Sequence, residues 1–393
     1  MQYRPIHREE WEAAERLSSI AFWYPIDPAK IRESVEKDPD MTHATTRAAI
    51  DEQGKLVAKI ELIPFQIWFD GQQAGMGGIG GVASRPETRR GGHIRRLMTD
   101  ALAEMNEQGM TFSYLYPFSY AFYGKFGYDP SAGFARITAP LEPLLACPVE
   151  GELTEYYPGE PVAPFMQVYD AFAQSRNLLV VRDEARFKNH LKHDPEASGV
   201  FTWLYRSADG TPKGYITYTQ GPDNGMDVKD MAWTDKEGLM GLMGLLGRFT
   251  GNKERVRMPV LPGFVPEVFW KNLYVIKSEE QFGGMNRIVN AERAFALCRK
   301  PWFAGSCIVE VQDATCPWNT GSYRIEWDAD GQQVTRTQQP GDIALTANAL
   351  SAMVTGRLTL QELGMLDQVE IRGNETMLQA LFPRKGSCIQ DYF

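Results

Sequence analysis

No run of apolar residues in this 393-residue chain approaches the ~20 that a membrane-spanning helix needs. Met1-Gln2-Tyr3-Arg4-Pro5 also lacks the basic-then-apolar opening of a secretory leader, so a cytoplasmic location and no membrane partner are expected. Cysteine is scarce. The five residues Cys147, Cys298, Cys307, Cys316 and Cys388 are an odd number at irregular spacing with no Cys-x-x-Cys, which predicts ordinary thiols rather than a disulfide framework or a thiolate metal site. Among the few histidines, His190-Leu191-Lys192-His193 sets two imidazoles on adjacent helical turns. No carboxylate or thiol cluster completes a metal site there, and a solvated helix face is expected. Positive charge is in deficit too: a net charge of −9 argues against nucleic acid as a partner and suits a cationic substrate. Finally, no Gly-Lys-Ser/Thr loop and no three-glycine dinucleotide fingerprint is present.

What is present is a strand, a basic glycine turn and a helix in immediate succession, Gly80 to Met98. Ile94, Leu97, Met98, Ala101, Leu102 and Met105 recur at helical spacing, while Arg95, Arg96, Asp100 and Glu104 take the other face. The helix therefore starts at Gly91-Gly92, where backbone N–H groups and the positive helix end can face an anion. Arg89 and Arg90 add two guanidinium forks suited to phosphate oxygens. A second constellation follows: the short strand Thr111–Tyr116, then Ala121-Phe122-Tyr123-Gly124-Lys125-Phe126-Gly127-Tyr128.

Arg89-x-x-Gly92 on a strand-to-helix turn resembles the pyrophosphate signature Gln/Arg-x-x-Gly-x-Gly/Ala of the GNAT superfamily of acetyl-CoA-dependent N-acetyltransferases. Ile94 departs from it where the last small residue is expected. The segment around Tyr123 resembles the Phe-Tyr-x-Lys-x-Gly-Phe/Tyr stretch of the same superfamily. The resemblance implies acetyl-CoA as co-substrate, no metal, Val82, Ala83 and Ser84 along the pantetheine arm, and Arg89, Arg90, Gly91, Gly92 and Ile94 at the diphosphate. It also puts the Tyr123 phenol beside the thioester sulfur, as the acid that protonates the leaving thiolate.

Length suggests two to three domains. A helical segment over Arg8–Lys37, a hairpin from Ala44–Ile50 and the alternating run Leu56–Phe69 lead into the glycine-turn helix, and residues 1–145 follow the GNAT order. Residues 146–288 repeat it in degenerate form: helices near Pro164–Arg176 and Asp183–Lys192, strands near Val200–Arg206, Lys213–Thr219 and Asp227–Trp233, and a helix across Asp235–Arg248. At the corresponding turn Asp235 and Glu237 would repel a diphosphate, so this unit is expected not to bind the cofactor. Residues 289–393 show strands near Cys307–Gln312, Tyr323–Trp327 and Gln333–Thr337, then helices near Ala347–Thr355, Thr359–Leu366 and Glu375–Phe382, an α+β layout.

Two GNAT folds followed by a sterol-carrier-like α+β domain resemble the Eis (enhanced intracellular survival) family, a mixed α/β architecture. That resemblance implies a homo-oligomer, commonly a hexamer. It also implies a C-terminal tail that threads back, so that the α-carboxylate of Phe393 helps deprotonate the acceptor. The acceptor is expected to be an aminoglycoside, polyamine or lysine-like amine taken up directly in a ternary complex. Phe22, Trp23, Tyr24 and Asp27 are the candidate acceptor residues, aromatic walls with one acid, and Gly81 is expected to leave that place roomy. The alternative is a non-catalytic protein on the same scaffold that senses acetyl-CoA or holds a lipid-like ligand.

Overall fold

A computed structural model describes residues 1–37, 45–131, 133–281, 283–367 and 369–393. The first stretch holds strands β1 (Gln2–Pro5), β2 (Thr46–Ile50), β3 (Leu56–Phe69), β4 (Gln72–Ser84), β5 (Phe112–Leu115), β6 (Asp129–Pro130) and β7 (Phe134–Pro140). Its helices are α1 (Trp11–Phe22), α2 (Pro28–Lys37), α3 (His93–Glu107) and α4 (Tyr120–Gly124). The expected single helical segment is thus broken at Trp23, which ends α1 in the left-handed region at φ 61. Ala44, the expected first residue of β2, lies outside the described residues.

The second stretch holds β8 (Glu152–Glu155), α5 (Ala163–Gln174), α6 (Glu184–His190), α7 (Pro195–Ser198), β9 (Phe201–Arg206), β10 (Pro212–Gln220), β11 (Met226–Trp233), α8 (Lys236–Gly247), β12 (Arg255–Pro259), β13 (Lys277–Gln281) and β14 (Met285–Ile288). The third holds α9 (Ala291–Leu297), β15 (Gly305–Gln312), β16 (Gly321–Trp327), β17 (Gln332–Thr337), β18 (Ile343–Thr346), α10 (Ala347–Val354), α11 (Leu360–Leu363), β19 (Val369–Ile371) and α12 (Glu375–Leu381).

These strands form three sheets, ordered β1-β2-β3-β4-β5-β14-β6, β13-β7-β12-β11-β10-β9-β8 and β17-β16-β15-β18-β19. Hydrogen bonding crosses both expected divisions. β7, N-terminal to residue 145, pairs with β12 in the second sheet, and β14, N-terminal to residue 289, lies between β5 and β6 in the first. The internal repeat is visible in the pairing: β4–α3–β5 and β11–α8–β12 are each a parallel pair joined through a helix.

Each face of the first sheet is covered differently. Val57, Ile60, Leu62 and Ile79 pack on the α3 residues Leu97, Met98, Ala101, Leu102 and Met105. On the opposite face α1 brings Trp11, Ala14 and Leu17 to Ala48, Ile50 and Ala83, while Phe65, Ile67, Phe69, Phe112 and Tyr114 pack on the third unit. That third unit is tied down by polar contacts as well. Arg287 of β14 and Asp313 form a fully buried ion pair at 2.6 Å, and Asn348 donates to the carbonyls of Gly124 and Tyr128 at 3.0 and 2.7 Å.

Arg357 meets Asp129 at 2.6 Å beside a cavity of about 650 Å³. Burial raises the Asp129 carboxyl to about 6 although Arg357 works to lower it. The folded state then binds this proton more readily than the unfolded chain, so its contribution to stability is largest below about pH 3.8 and falls as pH rises to about 6. Asp129→Asn is expected to flatten that slope when thermal midpoints are followed across this range. An unchanged slope would exclude Asp129 as its source.

Among the described residues no helix is long and apolar enough to cross a membrane, and no group of three or more His, Cys, Asp or Glu side chains could hold a metal ion. All five thiols are free, four buried and Cys147 half-buried. His190 corrects the expectation of a solvated face: its Nε2 is 2.9 Å from the buried Asp230 carboxylate.

Candidate functional site

β4 and β5 run parallel only from Met76↔Phe112 to Ile79↔Leu115. β5 then ends, while β4 continues through Gly80–Ser84, still paired to β3. Over those five residues, about 16 Å at strand rise, the edge of β4 that faced β5 has no strand partner among the described residues. A bulge marks the place: Lys59 pairs with Ala83 and Glu61 with Gly80, so Ile60 faces both Gly81 and Val82. Gly81 takes φ +53 there, which favours glycine. The space above it is not roomy, contrary to expectation, because an added Cβ would stand 2.2 Å from the Glu61 carboxylate. Beyond the bulge Val82 and Ser84 are half-buried and Ala83 is buried.

The chain then enters α3 through Gly92, left-handed at φ +79 with nothing within 4 Å of where a Cβ would be. The first bond into the helix runs from the Arg96 N–H to the Gly92 carbonyl, so the N–H groups of the preceding turn point out of the helix end. Arg89 and Arg90 are exposed and make no ion pair among the described residues. Ile94, the departure from the motif, turns its side chain toward the α3 core, with its backbone in the first turn of α3. Space, donors and free cations thus fit a diphosphate. The corresponding end of α8 does not: Asp235 caps it by accepting from the Gly238 N–H at 3.0 Å, and a Cβ on Gly238 would collide with the Lys213 carbonyl at 2.1 Å.

Tyr123 is only 2% exposed and belongs to the core between α3 and the first sheet, the cluster that also holds Ile79 and Leu115, with its ring 6.3 Å from that of Tyr128. Burial, and then neighbouring Tyr128, push its phenol well above the ordinary tyrosine range, so it stays protonated at neutral pH. Its hydroxyl has no hydrogen-bond partner among the described residues. Tyr128 differs, since its hydroxyl is 2.6 Å from Ser113 Oγ, which donates to the Gly77 carbonyl.

Phe393 lies on the other face. A Cβ on Gly78 would meet its ring at 2.5 Å, and the ring sits 4.5 Å from that of Phe65. Gly78 and Ile79 point to opposite faces of β4, so Tyr123, in the cluster that holds Ile79, and Phe393, at Gly78, lie on opposite faces of the first sheet. The tail is held along its length. Lys385 pairs with Asp70 at 2.5 Å, Ser387 donates to the Thr355 carbonyl at 2.7 Å, and Tyr116 donates to the Asp391 carbonyl at 2.8 Å. The Asp391 carboxylate meets Arg182 at 3.0 Å.

Arg182 is itself buried, 2.7 Å from Asp230, with Tyr215 donating to Asp230 at 2.9 Å. Burial would raise the Asp230 carboxyl, but Arg182 and His190 outweigh it and hold it well below the ordinary range. Sequence reasoning missed this clamp, since nothing in Val181-Arg182-Asp183 foretells a partner two hundred residues away.

The acceptor candidates line the end of α1. Phe22 and Trp23 are exposed, at 54% and 91%. Tyr24 is 3.2 Å from Glu15. Asp27 accepts from the Ala29 N–H at 3.0 Å and starts α2, so its carboxylate serves as a helix cap.

Comparisons with known proteins fit this geometry. Models described as acetyltransferase (GNAT) domain match residues 2–131 and 178–263, and one described as sterol carrier protein domain matches residues 291–389. An uncharacterized N-acetyltransferase of Streptomyces coelicolor is 41% identical over 66 residues, which span 16% of this chain and 16% of that protein. A GCN5-related N-acetyltransferase from Anabaena variabilis superposes with a TM-score of 0.86 at 20% identity, covering 100% of both chains. Eis1 from Mycobacterium abscessus does so with 0.81 at 18% identity and the same coverage. The chain is therefore built of two GNAT acetyltransferase domains, the first with an open helix cradle and the second without one, followed by a sterol-carrier-type domain.

Proposed function

We propose that this protein transfers an acetyl group from acetyl-CoA directly to a primary amine, an aminoglycoside, polyamine or lysine-like acceptor, in a ternary complex. The observation that carries this reading is the open edge of Gly80–Ser84 running from the strand parting toward the α3 cradle, one strand edge and one anion site in line. When bound, acetyl-CoA supplies a thioester carbon open to a neutral amine, with a thiolate as leaving group.

The α3 N–H groups with Arg89 and Arg90 hold the diphosphate. Val82, Ala83 and Ser84 offer backbone partners to the amides of the pantetheine arm, as a strand edge does to an added strand. Tyr123, protonated at neutral pH, gives its proton to the departing sulfur. An amine with a pKa of about 10.4 is mostly ammonium at neutral pH, while an α-carboxylate near 3.3–3.7 is ionised. On that basis the Phe393 carboxylate takes the acceptor's proton. A homo-hexamer belongs to the same proposal through the resemblance to the Eis family, and light scattering reads it.

Free thiol released from acetyl-CoA, followed against aminoglycosides, diamines and lysyl peptides, tests the transfer. Acetyl-CoA bound without thiol release for any acceptor would instead assign the chain to acetyl-CoA sensing or lipid-like ligand binding. Replacing Arg89 and Arg90 together by alanine is expected to weaken acetyl-CoA binding about tenfold at low salt, with the difference shrinking as salt screens the two cations. Unchanged affinity by calorimetry would displace the cradle from this turn.

A further inference from the structure

Two charged residues, Lys59 and Glu61, interrupt the apolar strand β3 on the sheet face that also carries α1 and the tail. Lys59 is fully buried, and its Nζ donates to Glu61 Oε1 at 2.6 Å. A buried ammonium needs an anion, and among the described residues Glu61 is the only carboxylate paired with Lys59. That need does not explain where the carboxylate lies. Glu61 pairs with Gly80 and Ile63 with Gly78, and alternate residues share a face, so Glu61 stands on the face where Phe393 fills the slot at Gly78.

A Cβ on Gly81 would lie 2.2 Å from Glu61 Oε1, and one on Gly80 3.8 Å from Oε2. The carboxylate therefore covers the bulge at the strand parting, roughly 7 Å along β4 from the Phe393 slot at strand rise. Oε1 is taken by Lys59, whereas Oε2 has no partner among the described residues. The side chain remains 21% exposed. Tyr24, just beyond α1, has its phenol raised above the ordinary value by burial, then by the carboxylate of Glu15 and, less, by that of Glu61.

We propose that Glu61 is an acceptor-binding residue whose free carboxylate oxygen takes the N–H of a primary alkylammonium and holds it at the β4 bulge, with Lys59 fixing the carboxylate from below. The preference for a cation then arises from a charge on β3 rather than from Asp27, whose carboxylate is engaged at the start of α2. For its reaction the inference rests on the transfer reading above; for binding it stands alone.

The test is calorimetric binding of 1,4-diaminobutane, with 1,4-butanediol as the neutral control, to the full chain and to Glu61→Gln and Glu61→Asp. Glu61→Gln keeps the shape and an oxygen for Lys59, and is expected to weaken diamine binding at least tenfold without changing diol or acetyl-CoA binding. Glu61→Asp keeps the charge and is expected to recover part of the diamine affinity, and it carries the test if the amide variant does not fold. Equal diamine affinity in Glu61→Gln with a lowered thermal midpoint is the signature of a merely structural ion pair and would overturn the proposal, as would a wild-type chain that binds no diamine. Diamine binding that depends on Glu61 but yields no thiol release would overturn the transfer reading and leave this one standing.

Discussion

Removing Asp391–Phe393 is expected to lower amine-dependent thiol release from acetyl-CoA by about 10²–10⁴, the range a positioned proton acceptor contributes, while acetyl-CoA binding stays within about threefold, too little to signal a lost charge contact. The separation follows from place. The tail ends against Gly78 and Phe65 on one face of the first sheet, whereas the proposed diphosphate cradle lies at the start of α3. The truncated chain should still fold, because Arg182 retains Asp230 as a buried anion and the tail remains anchored through Lys385 and Ser387. A finer variant keeps every side chain and appends one glycine after Phe393, which moves the α-carboxylate without removing the ring. If both variants turn over at the wild-type rate, the tail has no part in proton removal.

Tyr123→Phe is expected to reduce kcat by a similar factor and to leave acetyl-CoA affinity unaltered, since only the proton donor is lost. Packing should be little disturbed, because the hydroxyl has no hydrogen-bond partner among the described residues and the ring keeps its edge contacts with Phe118 and Phe122. Folded-state stability gives the control: a fall in thermal midpoint matching the loss of rate would identify Tyr123 as a packing residue only. Tyr128→Phe offers a contrast, since it removes the contact to Ser113 and is expected to cost stability rather than proton transfer.

Elements with a strong period were legible in the sequence. The stripe from Leu97 to Met105 gave α3, and the alternation over Leu56–Phe69 gave β3 with the same limits. The start of α3 after Gly92 was readable because a glycine turn before an amphipathic helix has a physical meaning. The first half of β4 was hidden by its glycines at 75, 77 and 78, which carry no side chain to alternate. Strand exchange between the sheets was hidden as well, because four residues such as Met285–Ile288 carry no mark of which sheet they join. Lys59 and Glu61 left a signal that was passed over. Two charges spaced by two in one strand share a face, and the buried first half of β3 tolerates such a pair only with a partner or a purpose.

The insertion of β14 between β5 and β6 sets an order on synthesis. As the chain emerges from the ribosome, β1 to β5 and α3 can collapse early, but β5 keeps a bare edge until residues 285–288 have been made and have returned past the whole second domain. Domains that fold one after another during translation normally protect themselves in turn. Here the first domain must wait for the second, and during that interval an apolar strand edge is exposed to other nascent chains. Conditions that slow elongation between residues 131 and 285 should therefore lower the yield of folded protein more than a pause of equal length after residue 288.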